Sequence, residues 1–106
     1  MQVSIIINTQ AEGIHNWPEC DIKEVSFLKY PHRHIFHICC KKTVNHSDRD
    51  IEIIKLKREI NDYLISYNGQ FNNLSCEMIC EILLSKFGLN YCSVLEDGEN
   101  GAEIHI

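Results

Sequence analysis

The chain lacks any apolar run approaching the roughly 20 residues that a membrane-crossing helix needs. That absence excludes a helical membrane protein on sequence grounds. The opening MQVSIIINTQ has neither the basic flank nor the small-residue cleavage site of a secretory signal, so a cytoplasmic protein is expected. Internal repeats, low-complexity tracts and linkers are also missing, and one domain over residues 1–106 is the expectation. Proline is scarce: Pro18 and Pro31 are the only two, and they bracket WPECDIKEVSFLKYP, which reads as a long loop. Basic residues are nearly absent from the second half, where eight acids from Glu59 onward face Lys86 alone.

The other nine basic residues lie between Lys23 and Arg58, among four acids, and such a region can attract an anion such as phosphate. The net charge of −5 counts against nonspecific nucleic-acid binding. An apolar content of 44% with 24% charged residues belongs to a folded globular chain. Six cysteines are many for this length. Cys39 and Cys40 are neighbours on an expected strand and point to opposite faces, while Cys76, Cys80 and Cys92 fit apolar positions, so buried thiols are expected rather than a disulfide framework.

VSIIIN is rich in β-branched residues and reads as a strand ending near Gly13. A second strand runs from His32 to about Val44. Ile53, Leu56, Ile60 and Leu64 recur at helical spacing, and after a loop, SYNGQFNN, a second helix runs from about Ser75 to Phe87, with Gly88 to stop it. YCSVLEDGENGAEIHI reads as a hairpin, with Asp97-Gly98 and Asn100-Gly101 as turn signals. This ββααββ order implies an α+β fold: an antiparallel four-stranded sheet with two helices on one face. An open sheet leaves two edges to pair, which an oligomer can join.

The segment HRHIFHICC carries the chemistry. On a strand His32 and His34 project from one face, and Arg33 and His37 from the other. Two imidazoles at i and i+2 can share a metal if a third ligand arrives from a neighbouring strand, and His15 at the end of the first strand is placed to do so. Three histidines with an open fourth position make a catalytic-type zinc site. His46 belongs to a polar turn. Trp17 beside His15 offers a stacking surface.

GIHNWP, HRHIFHI, DIEIIKLKREI, NLSCEMICEIL and SVLEDGENGAEI follow one another in the order and at the spacing of a known set of motifs. The chain thereby resembles the 6-pyruvoyltetrahydropterin synthase and 6-carboxytetrahydropterin synthase family over nearly its whole length. The resemblance implies the T-fold, in which subunits assemble into an oligomeric barrel, here a trimer to hexamer. It implies zinc on His15, His32 and His34, and a purine or pterin ring anchored by Glu96, with Ser75 and Glu77 near the ligand's polar edge. Capping and dipole compensation are the other roles open to Ser75 and Glu77.

Two departures bear on activity. The family's catalytic cysteine lies shortly before the HxH pair, where this chain reads VSFLKYP; Cys20 is in the same loop but nearer His15. The family's Asp-His pair between the helices is missing from SYNGQFNN. The resemblance therefore points to a non-catalytic protein that binds a purine, pterin or nucleotide ligand. One version would sequester a nucleotide-derived signal, as a viral protein acting against host defence would, in the host cytoplasm. The alternative is a zinc-dependent enzyme of pterin or deazapurine pathways, and a third reading is an accessory subunit serving assembly.

Overall fold

A computed structural model describes all 106 residues, Met1 to Ile106. The elements are β1 (Val3–His15), a 3₁₀ helix (Lys23–Lys29), β2 (His32–Val44), α1 (Ile53–Ile65), β3 (Gln70–Asn72), α2 (Cys76–Phe87), β4 (Tyr91–Glu96) and β5 (Asn100–His105). They form an α+β architecture around an open five-stranded mixed sheet of order β3-β1-β2-β4-β5. No helix is long and apolar enough to cross a membrane.

The alternation of side chains explains the two faces of the sheet. In β1, Ile5, Ile7, Ala11 and Gly13 point one way, and the exposed Ser4, Ile6, Asn8 and Glu12 point the other. β1 and β2 pair antiparallel over their full length, from Val3 opposite Val44 to His15 opposite His32. β4 continues the sheet with Phe36 opposite Glu96 and Cys40 opposite Cys92, and β5 closes it with Glu96 opposite Asn100.

Both helices cover the Ile7 face. α1 contributes buried Leu56, Ile60 and Leu64, spaced at i, i+4 and i+8. Its N-cap is Glu52, whose carboxylate accepts from the backbone N–H groups of Ile54 and Lys55. α2 starts at Ser75, whose hydroxyl accepts from the Met78 N–H, and ends on left-handed Gly88. Cys76, Ile79, Cys80, Leu83 and Leu84 are its buried residues. They pack with Phe36, Ile38, Cys40, Cys92 and Val94 in one core cluster. Each large apolar side chain so buried contributes about 1.5–3 kcal/mol.

The fold departs from the sequence reading at five places. SYNGQFNN is not only a loop: it delivers β3, which runs parallel to β1, so the sheet has five strands and is mixed rather than four and antiparallel. Asn68 and Gly69 adopt positive φ, turning the chain so that Ile14 donates to the Gly69 carbonyl at 2.8 Å. The Pro-bracketed stretch contains the 3₁₀ helix, and β1 runs past Gly13 to His15. Asn100-Gly101 lies in β5; the turn is made by left-handed Asp97 and Gly98. Ile53, expected on the apolar stripe of α1, is exposed because it is the first helical residue.

The thiols follow the alternation. All six are free; Cys40 is fully buried under the helices, while its neighbour Cys39 lies on the opposite face, half-buried. Gly13 has a packing reason: a Cβ there would sit 2.1 Å from the Phe71 ring, so only glycine lets β3 close over β1.

Candidate metal centre

The register that pairs β1 with β2 brings His15 directly opposite His32. His34 follows on the same face of β2, and Glu96, the last residue of β4, enters beside Phe36. The ring centroids of His15 lie 4.6 Å from His32 and 5.3 Å from His34, with 5.0 Å between His32 and His34. One donor atom from each of His15, His32, His34 and Glu96 falls within 4.8 Å of every other, a grouping that can hold a metal ion. The sequence reading placed the three histidines together, and the structure brings them together. It also brings in Glu96, which the resemblance had assigned to a ligand ring.

Hydrogen bonds on the far side of each imidazole decide what faces inward. His15 Nδ1 is 2.8 Å from the Leu74 carbonyl, and His32 Nδ1 is 2.8 Å from the Tyr30 carbonyl. A carbonyl only accepts, so both Nδ1 atoms carry protons and it is Nε2 that is left for the cluster. His34 Nδ1 stands 2.7 Å from Asp97 Oδ2, a carboxylate that likewise only accepts. Each of the three imidazoles thus turns its Nε2 toward the other two.

Glu96 completes the set. Its Oε2 lies 2.9 Å from His15 Nε2, and its Oε1 lies 3.7 Å from His34 Nε2. His15 Nε2 is buried and has no hydrogen-bond partner despite this closeness. With the proton on Nδ1, a neutral ring faces the carboxylate oxygen with a lone pair, which makes no hydrogen bond. Such an arrangement is repulsive unless a proton or a cation stands between the atoms. Three imidazole nitrogens and a carboxylate are a donor set suited to a divalent transition ion, so the residues present fit the zinc implied by the resemblance.

Three members of the cluster, His15, His32 and Glu96, line a cleft of about 550 Å³. All the remaining residues expected at the ligand lie there too. Trp17 is on the lining and 44% exposed, so its ring face is accessible. Ser75 and Glu77 also line it, and Ser75 is at the same time the N-cap of α2. Leu28, Leu74 and Met78 supply apolar surface, and none of the lining residues is Lys or Arg.

The reading of residues missed two members. Cys76, assigned to the apolar stripe of α2, lines the cleft, and burial, with the carboxylates of Glu96 and Glu77 after it, pushes its thiol up to about 12. Asp97 reads in the sequence only as a turn residue. The Ile35 N–H, and then His34, hold its carboxyl below the ordinary carboxylate value. Its turn signal was legible; its contact across to β2 was not.

The other candidates lie elsewhere. His37 is on the opposite face, 3.6 Å from where a Gly98 side chain would begin. His46 sits in its turn, 3.6 Å from Asp50. Cys20 is buried against the backbone carbonyls of Val25 and Ile22 and does not line the cleft. No protein-family model matches the chain, and no curated protein matches it in sequence.

Proposed function

We propose that the chain is a T-fold protein, similar to the 6-pyruvoyltetrahydropterin synthase and 6-carboxytetrahydropterin synthase family, that binds a purine- or pterin-type ring beside zinc without turning it over. The observation that carries this reading is the convergence of three imidazoles and Glu96 at the cleft, each ring held by an oxygen acceptor on its Nδ1. His15, His32 and His34 would hold the metal, and bound zinc supplies a Lewis-acidic point for a ligand oxygen.

Glu96 serves both partners. Oε2 is the oxygen nearer the histidines, at 2.9 Å, while Oε1 stands 3.7 Å away and keeps lone pairs for ring N–H donors. Trp17, Leu28 and Met78 offer the flat apolar surface that a heterocycle stacks on. Acidic Glu77 and Glu96, with no basic residue on the lining, favour an uncharged ring rich in N–H groups over a phosphate.

Two thiols support binding over turnover. Cys20 points into its own loop, and the Cys76 thiol, pushed up to about 12, stays protonated at neutral pH and is a weak nucleophile. Assembly is part of the proposal. β3 covers only the Ile14–His15 end of β1, and β5 has no strand beyond it, so two edges are open to pairing in a trimer to hexamer.

Calorimetric titration of the zinc-loaded chain with pterin and with guanosine tests the reading. Saturable binding is expected, and at saturating zinc Glu96→Gln should weaken it about 30- to 1000-fold, or roughly 2–4 kcal/mol, by leaving ring donors unpaired. Absence of binding with and without zinc would overturn the proposal, and efficient conversion of a pterin substrate would replace it with the enzyme reading.

A further inference from the structure

We propose that Asp97 is the positioning residue of the metal centre: it fixes the tautomer and the direction of His34 through a contact between the β4–β5 turn and β2. The inference rests on the metal reading above and concerns a residue outside the four donors.

His15 and His32 lean on backbone carbonyls, but His34 leans on a carboxylate, 2.7 Å from its Nδ1. Asp97 is itself held by two hydrogen bonds to Ile35. Its Oδ1 accepts from the Ile35 N–H at 2.9 Å, and its own N–H donates to the Ile35 carbonyl at 2.8 Å. Its left-handed backbone, φ 56°, lets the side chain and the main chain reach β2 together. The carboxylate therefore has one oxygen for the strand and one for the imidazole. A charged partner on Nδ1 leaves Nε2 as the lone pair and strengthens it as a donor. His34 is the only one of the three whose Nδ1 partner is a side chain, which a single substitution can change.

Asp97→Asn separates positioning from structure. The Ile35 N–H still needs an acceptor, so the amide oxygen takes that place and the amide N–H₂ faces His34. Nδ1 must then accept, which moves the imidazole proton to Nε2, where the metal would bind. Chelator competition should show zinc affinity about 10- to 100-fold weaker than in the parent chain. Nitrogen NMR of the metal-free protein should show the His34 proton moving from Nδ1 to Nε2, with only a small change in Tm. Asp97→Ala, which removes the strand contact as well, should lose both affinity and stability.

Parent-like zinc affinity in Asp97→Asn overturns the proposal, and so does weaker affinity with an unchanged His34 tautomer. A parent His34 that carries its proton on Nε2 overturns it whatever the variants do. Failure of the parent to bind zinc removes the metal reading itself, and this inference with it.

Discussion

Along β2, the side chains of His32, His34, Phe36, Ile38 and Cys40 leave the same face of the sheet, yet the last three are buried while the first two are only half-buried and His32 borders an open cleft. β4 repeats the contrast, with Cys92 and Val94 fully buried and Glu96 on the cleft. The strands do not change between these ends; the cover does. α2 begins at Cys76, and its cap Ser75 is already a lining residue, so the helical layer stops where the polar residues start. The site is thus a continuation of the core with its cover removed. Phe36 marks the border: it is fully buried and packs edge-on against His15, His34 and Phe71. Packing against a rigid core gives the imidazoles fixed positions without burying them all.

The largest effect that would break this contrast lies at its border. Phe36→Ala should cost about 3–5 kcal/mol in urea unfolding, by lost burial and a cavity beneath two histidines. A loss below about 1 kcal/mol would show that the core does not extend to the site. His34→Ala acts on the other end. It should weaken zinc binding by more than about 100-fold, beyond what losing an outer partner costs, while unfolding of the metal-free chain hardly changes. Equal damage to fold and to metal binding would erase the distinction between the two ends.

Gly13→Ala sharpens the contrast from beneath, because the added methyl meets the Phe71 ring that closes the core beside His15. Overpacking of this kind should cost about 1–3 kcal/mol, read as a lower urea midpoint. Ser75→Ala removes the acceptor for the Met78 N–H at 3.1 Å and should cost about 1 kcal/mol with unchanged zinc affinity. A drop in zinc affinity would make the helix start part of the metal centre.

The smallest effect belongs to the face no helix covers, where Arg33 Nε donates to Glu12 Oε1 at 2.8 Å. This bond, and then the Arg33 charge, holds the Glu12 carboxyl below its usual 4.5. A lowered folded value adds stability above the unfolded one and loses it as pH falls through the folded one. Glu12→Gln should therefore be slightly less stable than the parent above about pH 4.5 and indistinguishable from it in stronger acid. Both side chains are exposed, so the gap in Tm should be small. A gap that widened with acid would reverse the sign.

Much of the pattern was legible because it is local. Alternation along β2 put His32 and His34 together and His37 apart, and helical spacing found Leu56, Ile60 and Leu64. β3 was illegible for the opposite reason: three residues cannot display a period of two, and their pairing partner is more than 50 residues away in β1. The same distance hid Asp97. Its turn chemistry is written in Asp97-Gly98, but its carboxylate meets His34 at a separation of 63 residues.

By itself the sequence determined which side chains share a face, since side-chain direction follows from backbone period, and it determined the supply of imidazoles and carboxylates. Only the tertiary structure decided which faces meet and where the helices stop. It set the β1–β2 register that puts His15 opposite His32, and turned Glu96 from a residue at a strand end into a neighbour of three imidazoles. It fixed the direction of the rings as well, because the acceptors behind His15 and His34 come from segments 59 and 63 residues away. Such contacts depend on the whole chain closing, and no local period encodes them.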